Sequence, residues 1–235
     1  MVPEGIRGNR QEMIPRTLEP EIMDDEEEAR DYDAMNHGGA NARFCDDLIA
    51  FHPQFGDVLD VGTGTARIPI ALCERLRDLR VLAVDLADHM LAVAGENVAR
   101  AGFTDRIALQ KVDAKRTGWP DGSFGVVISN TIAHHIPDPC DLLRELYRLT
   151  RPGGALFVRD LARPDDEAEV ARLVALYGDP PVTPAHVRQN ALFEASLRAA
   201  LTLAEARECA VAVGIPVSAV TMTSDRHWSL AWVRS

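Results

Sequence analysis

The sequence predicts an α/β fold in which helices flank a mostly parallel, doubly wound sheet of seven strands. The first observation is an apolar strand that ends at Val61 and continues into a glycine turn and a helix beginning near Ala66. The second is that short apolar segments alternate with helix-length segments, as in parallel sheets buried on both faces. The third is a pair of alternating segments at 217–222 and 227–233, which predicts that the sheet closes with an antiparallel last strand.

Each element follows from its own pattern. Apolar or alternating runs bounded by turn residues predict the strands, and apolar residues three or four apart predict the helices. The strands are expected at 58–61, 80–85, 106–112, 125–129, 155–160, 217–222 and 227–233. The helices are expected at 21–34, 44–51, 66–76, 86–94, 138–149, 165–176, 185–201 and 203–213.

The glycine turn after the first strand indicates a nucleotide site. Gly62 and Gly64 allow a tight turn and a close approach of a ligand to the backbone. A dinucleotide site favours a third glycine at the position of Arg67. The acidic Asp60, at the end of the strand, suits a cationic amino-acid group better than a pyrophosphate.

Residues 60–66, Asp-Val-Gly-Thr-Gly-Thr-Ala, resemble the first motif of the class I S-adenosylmethionine (SAM)-dependent methyltransferases. Ala66 stands where a third glycine is common in that family. The Arg-Pro-Gly-Gly segment at 151–154 resembles a helix-to-strand turn of the same family. Residues 32–36, Tyr-Asp-Ala-Met-Asn, resemble a lid segment of its quinone-biosynthesis members, which act on small molecules. The resemblance implies SAM as cofactor and S-adenosylhomocysteine as product.

Further cofactor contacts are expected along the carboxyl ends of the strands. Asp85 ends the second strand about 20 residues after the glycine turn, where a carboxylate accepts hydrogen bonds from ribose hydroxyls. The resemblance places Met90 against adenine and Asp113 on its amino group, although a core methionine and a turn aspartate are the alternative interpretations. The complete predicted cofactor set is Tyr32, Asp60, Gly62, Thr63, Gly64, Asp85, Leu86, Met90, Asp113, Ala114 and Asn130.

Candidate bases follow the fourth strand. His134 and His135 precede a Pro-Asp turn, and histidine titrates near neutral pH. Adjacent histidines on a helix diverge by about 100° and no third ligand is near in sequence, so no metal site is predicted. Asp33 is a third candidate base. The alternative is that one histidine packs under the turn and the other is merely exposed.

Composition excludes several classes of function. The net charge of −11 argues against a nucleic-acid surface. No segment has the length of a signal peptide core or a membrane span, so we expect a cytoplasmic protein that does not insert into membranes. The four cysteines lie far apart and are expected to be buried, reduced thiols: Cys45, Cys73, Cys140 and Cys209.

The chain is expected to divide into a loose arm at 1–20, a helical lid segment at 21–52 and a methyltransferase domain at 53–235. A helical insert at about 161–201 follows the fifth strand and is expected to select the substrate. Its polar candidates are His186, Arg188, Gln189, Asn190 and Ser196, with Phe193 beside them.

The predicted function is methyl transfer from SAM to an O, N, S or C atom of a small molecule, by in-line displacement. Two alternatives stay open: a SAM-binding protein without methyl transfer, and an enzyme that uses SAM for another reaction. An NAD(P) oxidoreductase is disfavoured by Arg67 and by the absence of a Tyr-x-x-x-Lys pair. The acceptor and the oligomeric state are not predicted.

Overall fold

The computed structural model describes residues 14–19, 24–35, 38–52 and 54–235. The beginning of the predicted arm, the start of the first predicted helix and Asn36 of the lid segment lie outside these residues. The seven strands are β1 (Val58–Val61), β2 (Val81–Asp85), β3 (Ile107–Lys111), β4 (Phe124–Asn130), β5 (Thr150–Leu161), β6 (Val220–Met222) and β7 (His227–Val233).

Helices cover both faces of the sheet. In the described part of the chain they are α1 (Glu26–Ala34), α2 (Gly38–Phe51), α3 (Arg67–Arg75), α4 (Asp88–Ala101), α5 (Pro139–Leu149), α6 (Glu167–Tyr177), α7 (Pro184–Ala199) and α8 (Leu203–Ala212). Short 3₁₀ turns lie at Ala133–His135 and Val217–Ala219. None of the helices described here has both the length and the apolar character needed to cross a bilayer.

The strand order is β3-β2-β1-β4-β5-β7-β6. Strands β1 to β5 pair in parallel, and β7 runs antiparallel to both β5 and β6. The predicted fold class is therefore confirmed. The antiparallel last strand is also confirmed: β7 lies between β5 and β6, and β6 forms the edge of the sheet. The order reverses between β1 and β4, and ligands of open α/β sheets bind at the carboxyl ends of the strands beside such a reversal.

The core lies on both sides of the sheet. The apolar stripe predicted for α5 is buried against one face, with Leu142, Leu146 and Leu149 fully covered. On the other face Phe44 of α2 and Leu72 of α3 pack against the strands. Burial of these side chains contributes about 1.5–3 kcal/mol each, which holds the carboxyl ends of the strands in fixed positions.

Some boundaries differ from those predicted. Strand β5 begins at Thr150, so the Arg-Pro-Gly-Gly segment lies inside the strand rather than in a turn before it. Gly154 is needed there because a Cβ would lie 2.6 Å from the carbonyl oxygen of Gly125. Helix α2 begins at Gly38, six residues before the predicted start, because glycine and asparagine gave no apolar periodicity.

The prediction of four reduced thiols is wrong for one pair. Cys140 of α5 and Cys209 of α8 form a disulfide although they are 69 residues apart. The two helices pack on the same face of the sheet and bring the Cα atoms to 4.8 Å, a proximity that sequence spacing does not show. Cys45 and Cys73 are buried and free, as expected.

Candidate functional site

A cleft opens at the carboxyl ends of the parallel strands, beside the reversal of strand order between β1 and β4. The cleft brings together the predicted cofactor residues other than Asp60 and Thr63, together with His135 from the candidate bases. Those lining it are Tyr32, Gly62, Gly64, Asp85, Leu86, Met90, Asp113, Ala114, Asn130 and His135.

The glycine turn forms the floor of the cleft. The amide groups of Gly62 and Thr63 both donate to the carbonyl oxygen of Val84, at 2.9 Å each, which fixes the turn to β2. Gly62 has a φ of +74°, and a Cβ there would lie 2.2 Å from Cγ2 of Ile132. Only glycine combines this conformation with this close approach.

Asp85 presents a carboxylate to the cleft from the end of β2. Its Oδ2 accepts from the Gly64 amide at 2.8 Å and its Oδ1 accepts from the Ala87 amide at 3.0 Å. Burial raises the pKa of this carboxyl, and the backbone donors act in the opposite direction. Each oxygen has further lone pairs, so the oriented carboxylate can accept from two neighbouring hydroxyl groups.

Asp60 does not line the cleft. Its side chain is 2 % exposed and accepts a hydrogen bond from the Thr63 hydroxyl at 2.7 Å. Burial, with a smaller contribution from the charge of Asp85, raises the pKa of Asp60 to about 7. In the structure Asp60 and Thr63 contact each other beneath the glycine turn, and the ligand contact expected of them stays a prediction.

The far end of the cleft combines an apolar wall and a carboxylate. Met90 is 5 % exposed and packs with Ala87 and Val93, so it belongs to the core and to the cleft wall at once. Asp113 accepts from the Lys115 amide at 2.9 Å, which is the turn geometry of the alternative interpretation, yet it also lines the cleft. Met90 can therefore be a core residue and an adenine contact, and Asp113 can be a turn residue and an adenine contact.

Helix α1 closes over the glycine turn. A Cβ at Gly64 would lie 3.5 Å from the Tyr32 ring, and the Tyr32 hydroxyl forms a hydrogen bond with Thr131. Thr131 follows β4 with a φ of +57°, a conformation that non-glycine residues rarely adopt. The lid helix therefore contacts the two turns that meet at the strand reversal. The sequence carried no signal for Thr131.

Asp33, a candidate base, is not among the residues that line the cleft. It accepts from Arg67 at 2.8 and 2.7 Å and from Asn97 Nδ2 at 2.8 Å. Burial acts to raise its pKa, but hydrogen bonds from Arg67 and its neighbours hold the pKa below its usual value. The structure corrects its placement: Asp33 attaches α1 to α3 and α4. Arg67, which marked the departure from a dinucleotide motif, is its main partner.

The two histidines occupy different environments. His134 is 3 % exposed, and its Nδ1 donates to Oδ1 of Asp160 at 2.6 Å. Burial disfavours its charged form, but the charge and hydrogen bond of Asp160 prevail and raise the pKa of His134. His135 lines the cleft. Of the three candidate bases, only His135 is therefore placed to contact a ligand there.

Residues 14–19 lie against the histidine turn, although they belong to the arm expected to be loose. Arg16 Nη2 donates to the carbonyl oxygens of Ile136 at 2.9 Å and His134 at 3.2 Å. Glu19 Oε2 lies 3.3 Å from His135 Nδ1 and 3.8 Å from His134 Nε2. No local pattern in the sequence predicts contacts across more than a hundred residues.

The insert contacts the lid and the arm rather than the cleft. Arg188 pairs with Asp31 of α1 at 2.9 Å, and Ser196 donates to Glu19 at 3.2 Å. Asn190 bonds the backbone of Asp179 in the turn before α7. The cleft wall also lacks the remaining polar candidates, His186 and Gln189, and the apolar Phe193. In this structure the insert holds the covering elements in place.

Comparison with known proteins identifies the domain that carries this cleft. Residues 59–158 match a family model described as a methyltransferase domain. This segment is a methyltransferase domain. The match covers the glycine turn, Asp85, Asp113 and the histidine turn, and it confirms the family predicted from the motif at 60–66.

Similar curated proteins act on small molecules or carrier-bound acyl groups, according to their names. The 27-O-demethylrifamycin SV methyltransferase of Amycolatopsis mediterranei is 31% identical over 123 residues, which are 52% of this chain and 45% of that protein. The demethylmenaquinone methyltransferase of Symbiobacterium thermophilum is 30% identical over 142 residues, 58% of this chain and 57% of that protein. A malonyl-[acyl-carrier protein] O-methyltransferase of a Marinomonas species is 37% identical over 118 residues, 49% and 43% respectively. The chain spans about half the length of these relatives.

Solved structures share the fold. A SAM-dependent methyltransferase from Aquifex aeolicus has a TM-score of 0.65 and 20% identity, covering 88% of this chain and 97% of that one. The phosphoethanolamine N-methyltransferase 2 of Haemonchus contortus, solved in complex with SAM, has a TM-score of 0.59 and 22% identity, covering 81% and 41%. The predicted cofactor, SAM, agrees with this family.

The residues of the methyltransferase domain fit SAM. Gly62 and Gly64 both have a positive φ and line the cleft, so the turn presents backbone and no side chain to a ligand there. The Asp85 carboxylate suits the ribose hydroxyls, and Met90 and Asp113 offer an apolar surface and a hydrogen-bond acceptor for adenine. These groups are chemically compatible with a nucleoside in the cleft, and their individual contacts stay predictions.

Proposed function

We propose that this chain transfers the methyl group of SAM to a small-molecule acceptor and releases S-adenosylhomocysteine. The observation that carries the proposal is the position of His135, which lines the same cleft as the glycine turn and Asp85. A cofactor held by Gly62, Gly64 and Asp85 therefore shares its cleft with a group able to accept a proton.

The contribution of the protein to such a reaction is mainly positioning. When bound, SAM would supply a methyl group on a positively charged sulfur. The acceptor would attack the methyl carbon in line, and the sulfur would leave as the neutral thioether of S-adenosylhomocysteine. Holding both reactants in this geometry lowers the barrier by up to about 7–11 kcal/mol in favourable cases. The lid residue Tyr32 and the turn residue Ile132 line the cleft, and their side chains would shield the reacting atoms from water once the cofactor is bound.

The acceptor end of the cleft lies beside β4. Asn130 and Thr131 offer polar groups there, while Ile132 and Ile136 offer an apolar wall. We assign the role of base to His135 for acceptors that must lose a proton. His134 holds the turn through Asp160, and Asp33 holds the lid, so neither is assigned to the reacting atoms.

A small molecule is the proposed acceptor because the chain has a net charge of −11, which disfavours a nucleic-acid partner. The curated relatives named above support the same class. We also propose the cytoplasm as the location, on the basis of the composition described above. The Cys140–Cys209 disulfide weighs against this location because disulfides are rare in that compartment. A thiol titration of protein isolated from its native cells tests the location. Free thiols at Cys140 and Cys209 would support the cytoplasm, and a disulfide between them would contradict it.

The test is detection of S-adenosylhomocysteine by mass spectrometry when the protein and SAM are incubated with a metabolite library. The expected result is product formation with at least one acceptor, lost in Asp85→Asn. Asp88→Asn is the matched control because Asp88 is exposed and pairs with Lys111 outside the cleft. SAM binding without any S-adenosylhomocysteine from a broad library would favour a binding protein. A different SAM-derived product would favour another reaction.

A further inference from the structure

Three side chains from distant parts of the sequence converge beside the cleft. Glu19 comes from the segment before α1, and His134 and His135 come from the turn after β4. Their ligand atoms all lie within 4.8 Å of one another. Their side chains are 10 %, 4 % and 20 % exposed, so these are buried groups and not a solvated acidic surface.

From this cluster we propose a binding site for a divalent transition-metal ion of the zinc class, with Glu19, His134 and His135 as its three protein ligands. Two imidazoles and one carboxylate are a donor set that such ions favour. Each residue offers one ligand atom, a histidine nitrogen or a carboxylate oxygen, and zinc binds both kinds.

The distances are close to those that coordination requires. Metal–ligand bonds of about 2.0–2.2 Å in a tetrahedron separate neighbouring ligand atoms by roughly 3.3–3.6 Å. Glu19 Oε2 lies 3.3 Å from His135 Nδ1 and 3.8 Å from His134 Nε2. All three ligand atoms lie within 4.8 Å of one another, so a bound ion would have to draw the widest pair together by rotation of the side chains.

Asp160 provides an independent second observation. Its Oδ1 accepts from His134 Nδ1 at 2.6 Å, which leaves Nε2 as the unprotonated nitrogen that faces Glu19 in the neutral imidazole. Metal-binding histidines almost always have such a carboxylate or carbonyl partner. Asp160 is itself fixed, because its oxygens accept from the amides of Ala133 and Leu161, both at 2.6 Å.

The site is of the open type. Three protein ligands leave at least one coordination position for another molecule, and His135 brings the site to the wall of the cleft. An ion there is placed to bind an oxygen or nitrogen atom of an acceptor and to lower its pKa. This last consequence rests on the proposed function, and in the metal-bound protein it replaces the role of base given to His135, whose Nδ1 is then bound to the ion. The metal site itself does not rest on the proposed function.

A proton is the competing occupant. When His134 is protonated, its imidazolium lies between the carboxylates of Asp160 and Glu19, and the guanidinium of Arg16 lies nearby. The cluster then holds together as an ion-pair network without a metal. Binding measurements separate the two occupants directly.

The experiment is titration of the full chain, freed of metal with a chelator, with Co²⁺ as a visible-absorbing probe, followed by displacement with Zn²⁺. We expect one Co²⁺ per chain. Glu19→Gln and His135→Gln are expected to weaken Co²⁺ binding by at least about tenfold. This minimum is the smallest loss of metal affinity typical when a residue that only supports a ligand is replaced, and these variants remove a ligand itself. His89→Gln is the matched control because His89 forms an exposed pair with Asp24 at 3.0 Å.

Circular dichroism and thermal melts without metal establish that each variant is folded. Loss of the site in the two ligand variants, with binding retained in His89→Gln, supports the proposal. Absence of stoichiometric binding, or binding unchanged in both ligand variants, overturns it and leaves the ion-pair network as the explanation. Equal loss in His89→Gln also overturns it. None of these outcomes depends on methyl transfer, so failure of the proposed function is distinguishable from failure of the metal site.

Discussion

Asp60 is expected to make the protein less stable as pH rises. Its carboxyl is 2 % exposed, and its pKa in the folded chain is about 7 against an ordinary value of 3.8. The folded state therefore binds the proton more tightly than the unfolded state. Between these two values folded Asp60 keeps its proton while unfolded Asp60 has lost it, so stability falls as pH rises and levels off above the folded pKa.

The magnitude follows from the same two values. Their difference corresponds to about 4 kcal/mol of free energy of unfolding in total, at 1.36 kcal/mol per pKa unit. Roughly 3 kcal/mol of this is lost between pH 5 and pH 8. Asp60→Asn resembles the protonated acid and still offers an oxygen to the Thr63 hydroxyl, so the variant is expected to lack this pH dependence.

The assay is urea unfolding of both proteins without SAM at several pH values. The useful quantity is the difference between variant and wild type, because contributions from other groups then cancel. His227, whose pKa burial lowers to about 4, is one such group. Asp57→Asn, three residues earlier and exposed, is the control. Parallel curves for wild type and Asp60→Asn would falsify the assignment of a protonated carboxyl beneath the turn.

Three further predictions test the turn, the lid and the disulfide. Gly62→Ala combines a left-handed conformation with a steric overlap and is expected to cost roughly 2–4 kcal/mol in urea unfolding; unchanged stability would show that the turn relaxes. Arg67→Ala releases Asp33 and is expected to speed hydrogen exchange in α1 and weaken SAM binding, while changing global stability by less than about 1 kcal/mol because the pair is partly exposed. Unchanged exchange in α1 would contradict its role in holding the lid. Reduction of Cys140–Cys209, which closes a loop 69 residues long, is expected to cost about 2–4 kcal/mol in urea unfolding; equal stability with and without reductant would refute this.

Local sequence patterns were sufficient for the strands and for the floor of the cleft. The turn at Gly62 and Gly64 and the carboxylate of Asp85 are close in sequence to the strands that position them, so periodicity and turn chemistry locate them. Parallel strands then bring their carboxyl ends to one edge by topology alone. This is why most of the predicted cofactor residues line one cleft.

Contacts between distant segments were not predictable in this way. Asn97 contacts Asp33 across 64 residues, and Arg16 contacts His134 across 118 residues. Neither pair has a local signature, because ion pairs and hydrogen bonds between elements depend on how helices dock on the sheet. The same reason explains the disulfide between α5 and α8.

Glu19 illustrates the consequence for function. The absence of a third ligand near the histidines in sequence led to the prediction of no metal site. Folding brings Glu19 to 3.3 Å from His135, although the two residues are more than a hundred positions apart. A sequence search for ligands by spacing finds only sites built on one element or one turn.

The most direct test of the account is calorimetric titration of the purified chain with SAM, S-adenosylhomocysteine and NAD. We expect both sulfur nucleosides to bind with one site per chain and NAD not to bind. Asp85→Asn is expected to weaken both interactions, and Asp88→Asn is expected to leave them unchanged. Binding of NAD alone, or no binding of either sulfur nucleoside, would contradict the assignment of the cleft to SAM.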